Sequence, residues 1–316
     1  MDEALRRWVE DTTGAAMTSA TRHLVGGSRD LWFVEAGGRS LVLRAETGAG
    51  ALAGTPLTLA REASVCRALA GSGVPVAEIL AVSERPSAVL MARLPGTSDL
   101  RKLAPADGPA LVRHFMQTLG SLHRIEVATL DLPGFEPPLR VEDHALLEVD
   151  LWGELVDEHL PAPATPLLDG LAWLREHAPS RVARTVLVQG DTGPGNFLFV
   201  GRTVTGLVDW ELSHVGDPMD DIAWLDMRAS GPFDDVAARD AAYEEASGIA
   251  IDAASVAYYR VLVFLRCAVI TAMAVARGVG THGPDAYRAP NQRFLTSLAE
   301  ALASAGDPER AARARR

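Results

Sequence analysis

The stretch at residues 187–211, LVQGDTGPGNFLFVGRTVTGLVDWE, constrains the chain most. It sets Asp191 and Asn196 five positions apart in a loop and Asp209 thirteen positions beyond, at the end of a further apolar run. The segments TVLVQGD, NFLFVG and TVTGLVDW read as short strands, whereas the pattern from about residue 97 onward is otherwise helical. A small β-rich island at 185–210 therefore has to be accommodated inside a helical region. Used only structurally, Asp191 and Asn196 would be turn formers around Gly193-Pro194-Gly195. Used chemically, the three supply a carboxylate to sit near an acceptor hydroxyl and oxygen ligands for Mg²⁺ across nucleotide phosphates. Phosphoryl transfer needs that set, because it is catalysed largely by positioning and charge neutralisation. Protein kinases place their catalytic Asp and metal-binding Asn at the same separation, with a second metal Asp beyond.

The opening third is β-rich. Residues 1–20 read as an amphipathic helix, followed by HLV, the loop GGSRD, LWFVE, the turn AGGR and SLVLR, which alternate as in a hairpin. Gly26-Gly27-Ser28 offers backbone N–H groups at a bend, and Gly37-Gly38 is the tighter turn. In SLVLR, Val42 and Arg44 share one face while Leu41 and Leu43 pack behind. A helix from about residue 58 to 69 puts Thr58, Leu59, Glu62, Val65, Cys66 and Leu69 on one side. Glu62 lies in the middle of that stripe, where a carboxylate without a partner is costly. Arg44 is the natural counter-charge. The runs VAEILAVSE and SAVLMARL read as two more strands, and Leu94-Pro95-Gly96 ends the pattern.

At 316 residues, with 48% hydrophobic and 22% charged residues, the chain has enough apolar content for two lobes. A formal net charge of −11 opposes nucleic-acid and anionic-membrane binding, since both start from a basic surface. Cys66 and Cys267 sit in apolar helical patterns and form no disulfide framework, which fits a reducing, cytoplasmic setting. The start MDEALRRWVE has no signal pattern. The apolar run at 267–276, flanked by Arg266 and Arg277, is short of a bilayer span and reads as a buried helix. The charged tail after Ala305 reads as frayed, and nothing in the sequence fixes an oligomeric state.

The sequence resembles the aminoglycoside phosphotransferase-like, or phosphotransferase enzyme, family from about residue 20 to 290. The resemblance is carried by QGDTGPGNFLF, GLVDWELSHVGDPMDDIAW, the pair Arg44 and Glu62, and MARLPGT. It implies an α+β, two-lobed protein-kinase-like fold: a β-rich nucleotide lobe at 1–94 and a helical lobe at 95–316 holding the catalytic loop and acceptor site. It implies Asp191 as catalytic base or hydroxyl-orienting residue, and Asn196 and Asp209 as Mg²⁺ ligands. Arg44, steadied by Glu62, would touch the phosphates of ATP (or GTP) below the loop of Gly27 and Ser28. Backbone from Ala92 to Leu94 would meet the adenine. The acceptor would be a small-molecule hydroxyl: an aminoglycoside or other antibiotic, a hydroxyacyl thioester, or a metabolite alcohol. Gln189 stands where the family usually has His, and Arg44 where it commonly has Lys, a change of phosphate geometry. Arginine does occur in branches related to the acyl-CoA-dehydrogenase-linked phosphotransferases, which DWELSHVGDP also resembles, so a metabolite is favoured over an antibiotic. The same two changes admit a kinase-like protein that holds a nucleotide without transferring phosphate. Keeping Asp191, Asn196 and Asp209 together argues against it.

Other features carry less. Gly48, Gly50 and Gly54 miss the dinucleotide fingerprint by one place, and no P-loop sequence occurs. In GDPMDD, Asp217 reads as an N-cap, Pro218 as the first helical residue, and Asp220 and Asp221 as first-turn acids. His123 reads as a packing or capping residue at a helix end. Asp150, Glu154, Asp157 and Glu158 read as the solvated face of a helix.

Overall fold

The computed structural model describes residues 1–23, 29–46, 48, 50–135, 140, 143–278 and 285–305. Five strands, β1 (Met17–His23), β2 (Asp30–Ala36), β3 (Arg39–Ala45), β4 (Ile79–Glu84) and β5 (Ser87–Ala92), form an antiparallel sheet in the order β1-β2-β3-β5-β4. Helix α1 (Glu3–Thr13) starts at Asp2, which accepts the Leu5 N–H at 2.8 Å. It stops at Gly14, in the left-handed region at φ 65°, so the helix is shorter than residues 1–20. Residues 17–20 instead open β1, where the Met17 N–H is held by the Glu10 carboxylate at 2.9 Å. Of the expected strand HLV only His23 falls within the described residues. Gly37 and Gly38, at φ 59° and 73°, make the β2–β3 turn, where both central residues need φ above zero.

Alternation along β3 buries Leu41, Leu43 and Ala45 against Val34, Leu90 and the α1 residues Leu5 and Val9. Arg44 projects from the opposite face, where α2 (Leu59–Ala68), capped by Thr58, lies across the sheet. Leu59 and Ala63 meet Val89, while Val65 and Cys66 reach into the larger core of the helical part.

That part contains α3 (Gly108–Arg124), α4 (Asp143–His159), α5 (Thr165–Glu176), α6 (Pro218–Arg228), α7 (Val236–Ser247), α8 (Ala253–Ala276) and α9 (Asp285–Ala305). Two antiparallel ribbons are inserted in it. One pairs β6 (Val186–Val188) with β9 (His214–Gly216), the other β7 (Phe197–Val200) with β8 (Thr203–Leu207). The expected island at 185–210 is present, and β9 extends it. Thr97 and Phe199 exchange backbone hydrogen bonds of 3.0 and 3.1 Å, tying the connection after β5 to β7. Gly96, at φ 111°, permits this: a Cβ there would lie 2.6 Å from the Phe199 carbonyl oxygen.

Helix α8 is long and apolar enough to cross a membrane, but 67% of that window is buried, with α4, α5, α6 and α9 packed around it. It is a core helix, longer than the run at 267–276. Arg266 does not flank it but sits mid-helix, fully buried. Cys66 and Cys267 are both buried free thiols, and Asp150, Glu154, Asp157 and Glu158 are all exposed on α4.

Candidate active site

Strand β6 delivers the chain into Gln189-Gly190-Asp191, and a buried carboxylate on α6 fixes the turn. Asp221 accepts the Gln189 N–H at 2.9 Å, the Gly190 N–H at 3.0 Å and the Thr192 hydroxyl. Its Oδ2 also faces His123 Nε2 at 3.0 Å, and His123 Nδ1 meets the Tyr243 hydroxyl at 2.7 Å. Burial alone would raise the Asp221 pKa, but the His123 contact and the loop donors outweigh it and hold the carboxyl below its ordinary range. Reading GDPMDD as a helix start is right for Asp217, which caps Met219 N–H at 2.9 Å, and for Pro218. Asp220 and Asp221 are more than first-turn acids: both are fully buried and paired. The available signal was the apolar run Ile222 to Leu225, which leaves α6 little solvated face for two carboxylates.

Gln189, in place of the family's His, donates from Nε2 to the Val208 carbonyl at 2.7 Å and the Asn196 carbonyl at 3.4 Å. It thus staples the strand before Asp209 to the loop carrying Asn196. Asn196 Nδ2 donates to the Asp191 carbonyl at 2.8 Å and to Asp191 Oδ2. Burial first, reinforced by Asp209 and opposed by Arg228 and Asn196, pushes the Asp191 carboxyl up to about 7. Asp209, at φ 63°, is the sole non-glycine residue at positive φ among those described. Such strain gathers where a side chain must be aimed.

The sheet supplies the other wall. Arg44 donates to Glu62 Oε1, as the buried-stripe reasoning required, and lies 3.3 Å from Asp209 Oδ1. Arg29 takes Glu62 Oε2 at 3.2 Å, so each oxygen of the buried carboxylate faces a guanidinium. Arg29 also lies 3.4 Å from Glu211 and donates to the Leu57 carbonyl. Burial works against the Arg44 charge, and Glu62, Asp209 and Glu211 outweigh it, leaving Arg44 firmly cationic. Glu211 is pushed up to about 7 by burial and the neighbouring Asp209, against Arg29 and Arg44. Arg29 and Glu211 escaped the sequence reading, and no local pattern marks them.

Asp191, Asn196, Asp209, Arg44 and Glu62 are therefore brought together. Ala92 ends β5 with its N–H committed to the Glu78 carbonyl at 2.9 Å, and the Arg93 N–H goes to Ser40 at 3.1 Å. Leu94 follows in the connection, its side chain over Gly206 of β8. Gly27 and Ser28 lie outside the described residues. No group of three His, Cys, Asp or Glu side chains among the described residues is arranged for a metal. The donors suited to Mg²⁺ are fewer: the Asp209 carboxylate, about one-third exposed, and Asn196 Oδ1, the oxygen left once Nδ2 is committed to Asp191. Two hard oxygens fit a cation that otherwise coordinates phosphate and water.

Behind this wall, Arg266 binds both Asp220 oxygens at 2.8 Å and Glu148 at 2.7 Å. His214 Nε2 lies 3.1 Å from Asp220, and His214 Nδ1 lies 3.0 Å from the Leu212 carbonyl. Burial lowers the His214 pKa, but Glu148 and Asp220 outweigh it and hold it above the ordinary value. A histidine whose pKa rises on folding contributes stability below its unfolded pKa of ~6.5 and loses it as pH rises through the folded value. Thermal melts above neutral pH should show the parent losing stability more steeply than His214→Gln; parallel curves would refute the pairing.

A family model described as "Phosphotransferase enzyme family" matches residues 19–259. "Acyl-CoA dehydrogenase family member 10" of Mus musculus is 29% identical over 238 residues, covering 70% of this chain and 22% of that protein. The chain spans less than a third of the curated relatives it matches, 31% in the Homo sapiens "Acyl-CoA dehydrogenase family member 11". Among solved structures, a putative aminoglycoside phosphotransferase from Ralstonia eutropha superposes with a TM-score of 0.72 at 21% identity, covering 98% of each chain. A thermostable aminoglycoside phosphotransferase mutant in ternary complex with AMP-PNP and hygromycin B gives 0.66 at 17% identity, covering 96% of this chain and 99% of that one. Both likenesses establish the two-lobed kinase-like fold.

Proposed function

The chain belongs to the phosphotransferase enzyme family, and from that premise we propose that it moves the γ-phosphoryl group of ATP, or GTP, to a hydroxyl of a small molecule with Mg²⁺. The observation that carries this is the Arg44–Asp209 contact at 3.3 Å. It puts the strand cation and the metal-type carboxylate within one site, beside Asp191 and Asn196.

In this reading Asp191 orients the acceptor hydroxyl and takes its proton, with Asn196 fixing the carboxylate through Nδ2. Asp209 and Asn196 Oδ1 hold Mg²⁺, which supplies charge neutralisation across the nucleotide phosphates. Arg44 faces the phosphates, kept in place by Glu62, with Arg29 on the second oxygen. Residues 1–94 act as the nucleotide lobe, with the connection from Ala92 to Leu94 against the adenine. Residues 95–316 carry the catalytic loop and the acceptor site. The acids Asp150, Glu154, Asp157 and Glu158 face solvent on α4, so they give a polycationic aminoglycoside no buried seat. Curated relatives are named for acyl-CoA dehydrogenation, which puts hydroxyacyl thioesters first among acceptors.

The test is a nucleotide-consumption screen with ATP or GTP and Mg²⁺ against hydroxyacyl thioesters, choline-like alcohols, macrolides and aminoglycosides. Transfer that depends on an acceptor and stops on chelation is expected. Thermal stabilisation by ATP and Mg²⁺ without transfer to any of them would replace the enzyme with a nucleotide-binding protein.

A further inference from the structure

Arg228, the last residue of α6, lies along the catalytic loop in a way that ordinary surface pairing does not require. Its Nη1 donates to Asp191 Oδ1 at 2.6 Å and its Nε to the Pro194 carbonyl at 3.1 Å. The side chain lies across Gly193 and Gly195, at φ 133° and 100°. A Cβ on Gly193 would come 3.0 Å from Arg228 Cβ, and one on Gly195 2.9 Å from Arg228 Nη2. Gly193-Pro194-Gly195 is thus more than a turn, since both glycines leave the space that the arginine crosses.

With Asn196 Nδ2 on Oδ2 and Arg228 on Oδ1, the Asp191 carboxylate is gripped at both oxygens. Each oxygen accepts more than one hydrogen bond, so both contacts leave room for an acceptor hydroxyl. A guanidinium meets a carboxylate and a carbonyl at once through a planar fork, which an ammonium does not reproduce. We propose that Arg228 is a positioning residue for phosphoryl transfer, acting through Asp191 by fixing the rotamer of its carboxylate and the course of residues 191–195. This rests on the reading of Asp191 as the hydroxyl-orienting group. Displacing a reacting group by ~1 Å costs roughly 10²-fold in rate, which sets the expected effect.

The experiment compares Arg228→Met, Arg228→Lys, Asp191→Asn and the double variant Asp191→Asn/Arg228→Met. Turnover is followed with the best alcohol of the acceptor panel and with water as acceptor, read as phosphate release from ATP with Mg²⁺. Arg228→Met is expected to lower kcat roughly 10²-fold while the KM for ATP stays within about threefold. Arg228→Lys, which keeps a cation and guards against a Met variant that fails to fold, should recover only part of the loss. Because the effect passes through Asp191, Arg228→Met should cost nothing further in the Asp191→Asn background. A folded Arg228→Met protein with parental kcat, or an additive loss in the double variant, overturns the proposal and leaves Asp191 in place. A fully active Asp191→Asn protein, or a parent that releases no phosphate to any acceptor, overturns the reading of Asp191 and this proposal with it.

Discussion

Asp191→Asn is expected to lower phosphoryl transfer by ~10²–10⁴-fold, the usual worth of a positioned general base, without lowering the melting temperature. An amide accepts no proton from an alcohol, so the hydroxyl is no longer activated even where it still binds. The expected absence of a stability loss follows from the burial of the carboxyl. Its pKa, pushed up to about 7, already includes the opposing contacts from Arg228 and Asn196. A carboxyl whose pKa is raised on folding binds protons more tightly in the native state than in the unfolded chain. Stability therefore falls as pH rises from about 4, the unfolded value, towards 7. The native protein bears that cost at neutral pH, and the neutral Asn removes it. Melting curves taken with a chelator, beside phosphate-release rates for both proteins, check the two halves together. A folded variant with parental turnover would remove Asp191 from the chemistry, whereas a variant that melts much earlier would show the carboxylate to be a structural ion.

What was legible in the sequence divides by the distance over which the determining contact acts. Asp191, Asn196 and Asp209 were legible because their spacing is local and the intervening strands are short and apolar. Arg44 and Glu62 were legible because two periodicities, two for a strand and 3.6 for a helix, assign each side chain a face. A buried glutamate then demands a cation. Gln189 was legible only as a departure from the usual His, and the structure shows it joining Val208 and Asn196. The end of α1 was misplaced because the amphipathic pattern continues past Gly14, while the left-handed cap and the pairing of Met17 with Ala36 override it. Asp221 was read only as a first-turn acid, and Arg228 and Arg29 went unassigned, for a different reason. Asp221 meets backbone donors some thirty positions earlier, Arg228 reaches back 37 positions to Asp191, and Arg29 joins Glu62 across 33. No periodicity within one element reports such a partner. The same holds for β9, whose three residues are too few to show alternation and whose pairing with β6 places His214 beside Asp220.

Gly190→Ala is expected to be the most damaging small substitution in the site, costing roughly 3–5 kcal/mol of stability together with most of the activity. Gly190 sits at φ 83°, where an L side chain adds ~1–2 kcal/mol by itself. Space is the larger difficulty, because a Cβ there would lie 2.2 Å from the Leu212 carbonyl oxygen and 2.6 Å from its carbon. Those atoms are backbone and cannot rotate away. Leu212 lies in the turn after Asp209, fastened by the Ser213 N–H to the Trp210 carbonyl at 3.1 Å and by the Ser213 hydroxyl to the same oxygen. Moving the loop the other way would break the Gly190 N–H contact to Asp221 at 3.0 Å, leaving a buried carboxylate short of a donor. Either shift separates Asp191 from Asp209, so activity should fall even where the protein still folds. Chemical denaturation gives the stability change, and binding of ATP with Mg²⁺ shows whether the nucleotide wall survives. A Gly190→Ala protein with parental stability and turnover would mean that the two loops are not held in contact, and the close approach that joins Asp191 to Asp209 would lose its role.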